Sequence, residues 1–320
     1  MSVKTLIADV TLLPPPARYF PIENGRYEVK PGLRRFSGNV FQIDGQFERF
    51  RQSKQSARAE RLAKYHAARD LEPAAERAVN RFIVQRLAQE YPALFQPHGE
   101  TLHARLTDDR LRFSPEGHFL GAKTLTAVPF ASGLDALASQ VQEDLAIIST
   151  RGDRHWLSAV HLCSPNHWAA EEKIGKSFAS IHQPVAGMEA MNRREGDWVR
   201  TMVNAVGGLL RFAWGIATDD QLNHHPRRAS GRGFDIQHPR AFLRVERQTI
   251  WGFPEAGASL FTIRTSFIDF EEIRSRVDER TALLQAIRSM SDDSLRYKGL
   301  DLFRDDLLKW LGDSTAEHRQ

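Results

Sequence analysis

Apolar residues recur along the chain with two spacings, one near 3.6 and one near 2, and their order predicts the elements. Val79, Ile83, Leu87 and Tyr91 repeat every four residues between Pro73, which suits a first helical turn, and Pro92, which stops the run. Leu134, Leu137, Val141, Leu145 and Ile148 fall on one helical face and predict another helix, with Gln142, Glu143 and Asp144 beside the stripe. Residues 171–182 read as a helix ended by Pro184, with Ile174, Phe178, Ile181 and His182 on one face. Phe270, Ile273, Val277, Leu284 and Ile287 stripe a helix over 269–290, and 300–311 form a last one. Strands are predicted over 156–162, 243–251 and 258–265. The last two are joined by Phe253-Pro254-Glu255-Ala256-Gly257, a good hairpin connection.

Less periodic stretches fill the intervals. Residues 1–46, rich in Pro, Gly and aromatics, read as an irregular wrapping segment. Residues 47–70 are heavily charged and predict an exposed helix, and Glu48, Glu60 and Asp70 among the basic residues favour a solvated face over a nucleic-acid patch. Residues 100–130 suggest small strands and turns, 198–216 hold further apolar runs, and 221–240 read as a long loop. Helices, then a strand-rich centre, then helices make the chain α+β, with a central antiparallel sheet dressed by helices at both ends.

Composition narrows the class. The 320 residues are 41% hydrophobic and 26% charged, which excludes a largely disordered chain and allows one large domain or two. The net charge of +4 permits an anionic ligand or an acidic partner and does not demand nucleic acid. One cysteine, Cys163, forms no internal disulfide and no multi-cysteine metal site. The apolar patch at the N-terminus is interrupted by Asp9 and closed by Pro14-Pro15-Pro16, no run is long enough to span a bilayer, and a cytoplasmic protein without membrane contact is expected.

Common catalytic signatures are missing: no GxSxG, HExxH, GxxxxGK[ST], paired CxxC or strand-linked GxGxxG occurs, and Gly231-Arg232-Gly233 is a fragment in a loop. His182 ends an apolar helical face. There an imidazole can present one nitrogen to iron while the other donates to a carbonyl. From the residues alone, a core histidine bonded to backbone is the favoured reading. Strand alternation puts Arg244, Glu246 and Gln248 on one face and Leu243, Val245, Arg247 and Thr249 on the other, with Arg264 on the partner strand. Arginine forks suit anionic groups, and a structural ion-pair ladder across the hairpin is equally open. His224, His225 and His238 with Asp235 form a weaker metal candidate, for which a solvated loop is favoured. Cys163 reads as a small buried hydrophobe before a thiolate ligand. Arg227, Arg228, Arg232 and Arg240 read as a solvated loop before a phosphate or acidic-partner contact.

Several blocks read together point to one family. They are Val141-Gln142-Glu143-Asp144-Leu145, Ser164-Pro165-Asn166-His167-Trp168, and Glu172-Lys173-Ile174-Gly175 running into Ile181-His182-Gln183-Pro184-Val185. Then come Arg244-Val245-Glu246-Arg247-Gln248-Thr249, Phe261-Thr262-Ile263-Arg264-Thr265 and Tyr297-Lys298-Gly299. In order and spacing the chain resembles the haem-dependent oxidative N-demethylase α-subunit-like family, from about residue 15 to about residue 311. The resemblance implies a PAS-like antiparallel sheet with added helices: 1–130 a wrapping segment and helices, 131–268 a haem-binding core, 269–320 C-terminal helices, all one integrated unit. It implies haem b on an axial histidine, activating O2 with electrons from NADPH through separate reductase subunits. A small secondary amine then loses one N-methyl group as formaldehyde. Carried over by position, His182 is the iron ligand. Arg244, Arg247 and Arg264 serve the haem propionates and the polar end of the pocket, and Glu246 pairs with the cationic amine, so that Glu246 and Arg244 are the candidate catalytic pair.

Three positions depart from the family pattern: Ala186 follows Pro184-Val185 where a proline is usual, Asn166 stands in the Pro-Ser-x-Trp block, and Ala213 replaces the amide of an Arg-x-Asn-Trp block. The expected function is a haem-dependent monooxygenase. A PAS-type haem sensor of gas or redox state without turnover is the alternative, and a haem-free scaffold is a third reading.

Overall fold

The computed structural model describes residues 13–228 and 233–312. Most of the N-terminal patch, with Gly231 and Arg232, lies outside them. A seven-stranded sheet joins β1 (Arg34–Arg35), β2 (His66–Ala68), β7 (Asp144–Arg151), β8 (Arg154–His161), β9 (Leu209–Ala217), β10 (Phe242–Phe253) and β11 (Ala258–Asp269). Its spatial order is β1-β9-β10-β11-β7-β8-β2, and every pair is antiparallel. A second sheet of β3 (Phe95–His98), β4 (Thr101–Ala104), β5 (Asp109–Phe113) and β6 (Phe119–Lys123) forms a meander. The α+β class and the antiparallel centre are as the periodicity predicts.

Helices cover both faces of the large sheet. One face carries Leu145, Ile147, Ala159, Trp251 and Leu260, packed with α1 (Phe47–Arg61), α2 (Pro73–Glu90) and α3 (Gly133–Ala138). At its other end the same face carries Leu243, Val245, Ile216 and Ile268. These meet the C-terminal helices α8 (Phe270–Arg274), α9 (Val277–Arg288), α10 (Asp292–Lys298) and α11 (Arg304–Gly312). The opposite face carries Ala146, Ile148, Val160 and Ile250. It is covered by the excursion between β8 and β9: α4 (Ala170–Lys173), α5 (Phe178–His182), α6 (Glu189–Asn192) and α7 (Glu195–Val203).

Four elements differ from the sequence reading. The stripe over 134–148 is not one helix. Ser132 caps α3 by accepting from the Asp135 amide, the helix ends at Ala138, and Asp144 begins a strand. Residues 144–149 are all buried, and a strand covered on both faces shows an apolar run that periodicity cannot separate from a helix. The charged helix α1 is not a solvated face, because Phe47, Phe50, Lys54, Ala57 and Arg58 are buried along one side. Lys54 donates to the carbonyls of Ala138 and Glu143, and Arg58 forks onto Asp135 with both contacts at 2.9 Å. The helix over 171–182 is split at Gly175, which adopts φ 79°, a left-handed backbone suited to glycine. The 269–290 helix is broken between α8 and α9. The buried stripe of α9 is Leu283, Ala286 and Ile287, whereas Val277 at its start is exposed.

Candidate functional site

The site face is set by strand register. Directly paired residues of antiparallel strands point to the same side. Arg244 is paired with Gly215, Glu246 with Ala213 and Gln248 with Arg211. Arg211, Arg244, Glu246 and Gln248 therefore share the face beneath α4–α7, and Ala213 and Gly215 give that surface no bulk beside Glu246 and Arg244. Gln248 Nε2 donates to Glu246 Oε2 at 2.9 Å, and Arg244 Nε lies 3.8 Å from Glu246 Oε1. The other Arg244 nitrogens are held by the carbonyls of Leu222 (3.1 Å) and Ser164 (2.6 Å).

Among the buried polar atoms of this face that have no hydrogen-bond partner are Arg211 Nε, Arg244 Nε and Gln248 Oε1. Lys298, on α10, reaches in over the β9 edge and donates to the Trp214 carbonyl at 2.8 Å. A Cβ built on Gly215 would sit 3.7 Å from Asn166 Nδ2 and 3.8 Å from Lys298 Nζ, so these groups converge on one spot. Burial pulls Arg211, Arg244 and Lys298 below their ordinary values, and the Glu246 carboxylate opposes the shift in all three.

His182 is the last residue of α5, which packs on this side of the sheet, and it lies close enough to Arg211 for that charge to act on its ring. Its Nδ1 bonds the Phe178 carbonyl at 2.8 Å, and its ring lies 4.2 Å from the Phe178 ring. That bond puts the proton on Nδ1. It leaves Nε2 as the acceptor lone pair, with no hydrogen-bond partner among the described residues. Burial lowers the His182 pKa, the Phe178 carbonyl opposes this, and the charges of Arg211 and Lys173 lower it further, so the imidazole is neutral. Neutral imidazole is the form that binds a metal.

The remaining expected residues lie elsewhere. Arg247 and Arg264 are paired with each other on the opposite face. Arg247 donates to the carbonyls of Asn39 (2.7 Å) and Val40 (3.1 Å). Arg264 pairs with Asp44 at 2.7 Å and stacks over Phe50, with its guanidinium carbon 4.1 Å from the ring centroid. Both fasten the N-terminal segment and α1 to the back of the sheet, away from His182.

His224, His225 and His238 are not brought together either. His224 pairs with Asp219, His225 with Glu171, and exposed His238 with Asp235. Cys163 is fully buried and burial pushes its thiol far up, so it stays protonated. Asp144, His161 and Cys163 offer ligand atoms within 4.8 Å of one another. The Asp144 oxygens, however, accept the amides of Cys163 and Ser164, and His161 Nε2 bonds Asp135 at 3.1 Å. The buried Lys54 ammonium bears on Asp144 and Cys163 as well. This is a hydrogen-bonded core that fixes the 163–164 turn, whose Ser164 carbonyl holds Arg244.

Sequence reading places Gln248 on the face of Arg244 and Glu246 but gives no role to it, to Arg211 or to Lys298. The signal for Arg211 is a lone arginine in an apolar strand. Lys298 stands in one of the family blocks, but its approach to this face depends on how α10 docks. Among the described residues no helix is long and apolar enough to cross a membrane. The model of a family described as haem-dependent oxidative N-demethylase, alpha subunit-like, matches residues 33–308.

Proposed function

Because the chain belongs to the haem-dependent oxidative N-demethylase, alpha subunit-like family, we propose that it removes an N-methyl group from a small secondary amine at the sheet face between His182 and Glu246. The observation that carries this reading is an imidazole with an open Nε2 on the helix layer over this face, near enough to Arg211 for its charge to act on the ring, with a carboxylate and buried cations with unsatisfied donors on the paired strands below. The antiparallel order β9-β10-β11-β7-β8, with α4–α7 inserted between β8 and β9, supports a PAS-like core.

These residues fit a haem. His182 Nε2 would hold the iron, and Arg244 with Arg211 would meet the propionates. The unpartnered Nε of Arg211 is what an absent anion would leave, whereas the Nε of Arg244 faces Glu246. Bound there, the haem b supplies oxygen activation, with electrons delivered by a separate reductase drawing on NADPH. The reaction balances as amine, O2, two electrons and two protons giving demethylated amine, formaldehyde and water.

The chain's own part is to bind and orient. Glu246 accepts the substrate ammonium in a charge-assisted hydrogen bond. Gln248 and Arg244 hold the carboxylate in place, and the small side of Ala213 leaves room next to it. Ile181, Phe178 and Trp168, packed on the apolar part of the same face, restrict water.

The test is reduction of the haem-loaded protein under O2 with secondary N-methyl amines, measuring formaldehyde. Formaldehyde in step with amine consumption supports the reading. A long-lived oxygen complex that no amine shortens would turn it toward a sensor.

A further inference from the structure

The helix that carries His182 has five residues, and none of them is fully buried. Packing alone does not hold so short an element, since a single turn nucleates unfavourably. Its two ends are instead pinned by charged side chains from neighbouring helices. At the N-terminal end the Ala179 amide donates to Glu195 Oε2 at 2.7 Å. Glu195 opens α7, and its same oxygen is 3.1 Å from His155 Nε2 on β8. At the C-terminal end Lys173, the last residue of α4, donates from Nζ to the Ile181 carbonyl at 2.6 Å. An anion on the first turn and a cation on the last also match the dipole of the turn.

Both anchors are fixed to the sheet. Val199, Met202 and Val203 of α7 are buried against β10 and its neighbours, and Ala170 of α4 is buried in the same cluster. Lys173 is also close enough for its charge to be felt by the His182 ring.

We propose that Glu195 and Lys173 are positioning residues for the iron ligand, clamping the two ends of α5 so that His182 Nε2 is held in one direction. This rests on the haem reading above. The two anchors act through His182, since their bonds go to the backbone of α5. Glu195 sets the orientation of the turn through the Ala179 amide. Lys173 fixes the carbonyl next to the ligand and adds a positive charge beside the imidazole, which favours the less positive ferrous state.

The experiment compares Glu195→Ala and Lys173→Met with the conservative Glu195→Gln and Lys173→Arg, which keep the acceptor and the charge. Each is loaded with haem, and the iron–histidine stretching band of the ferrous protein and its midpoint potential are recorded. In the apoprotein, hydrogen exchange of the Ala179 amide gives a readout independent of haem. The two removal variants should keep haem stoichiometry but shift and broaden the band, and Lys173→Met should lower the potential. Glu195→Ala should speed Ala179 exchange about tenfold, as expected when one charged hydrogen bond is lost. The conservative variants should restore parent values. Removal variants with parent band, potential and exchange would overturn the clamp while the haem reading stands. A parent protein without the band would remove the haem reading, and the clamp with it.

Discussion

Arg247 on β10 lies directly opposite Arg264 on β11, two guanidinium groups in register on the sheet face turned away from Glu246. Like charges so placed repel. The repulsion is offset because each is drawn off toward a different partner: Arg264 to Asp44 and the Phe50 ring, Arg247 to the Asn39 and Val40 carbonyls and the Phe36 ring. The pair thus serves as a double rivet for the segment leading into α1. The arginines on the Glu246 face are Arg244, three residues before Arg247 on β10, and Arg211 on β9.

That division predicts opposite behaviour for two arginine variants. Arg264→Met leaves Asp44 buried without its ion partner and should cost about 3–5 kcal/mol of stability, read by urea unfolding, with haem affinity retained. Arg211→Gln should leave stability within about 1 kcal/mol and weaken haem binding about tenfold through loss of one charge-assisted contact. Haem loss in Arg264→Met at full stability would reverse the assignment of faces.

Glu246→Gln keeps the shape of the side chain and its contact with Gln248 but removes the charge. The Soret band should be unchanged, and the apparent KM for a secondary amine should rise about tenfold or more, the size of a lost charged hydrogen bond. An unchanged KM would mean that the amine binds elsewhere.

The buried core behind the sheet predicts a pH dependence. Burial lowers His161 to about 4, against the pull of its hydrogen bond to Asp135. An unfolded histidine titrates near 6.5, so between roughly pH 6.5 and 4 the unfolded chain takes up a proton that the native chain excludes. Stability is therefore fully present above about pH 6.5 and falls as the pH falls through this window. The full loss from this one group is on the order of 3 kcal/mol. Glu143 and Asp144, raised by burial, act in the other direction but are common to both proteins compared. Unfolding measured at pH 7.5 and 5 should thus show a shallower slope in His161→Gln than in the parent. Equal slopes would place the proton elsewhere.

Much of this layout is legible from residue order. The hairpin of β10 and β11 follows from period-two alternation around a Pro-Glu-Ala-Gly turn, and its register alone puts Arg244 and Glu246 together and Arg247 apart. Helix α2 follows from Pro73 and the four-residue stripe. What is not legible is which face of the hairpin meets His182, because that depends on the docking of α1 and of the segment at 36–46. The strand β7 is hidden for a related reason: a run buried on both faces has no polar alternation to mark it. Lys54 and Arg58 look solvated in the sequence, since their carbonyl and Asp135 partners are about 80 residues away. Lys298 enters the site only through the docking of α10.

The most direct measurement is the absorption spectrum of the haem-loaded parent and of His182→Ala, oxidised and then reduced under carbon monoxide. The parent should show a Soret band of histidine ligation, and the variant should lose it or shift to a weak-ligand form. A variant spectrum identical to the parent, a thiolate-type band pointing to Cys163, or a parent that takes up no haem would contradict the assignment of His182 as the iron ligand.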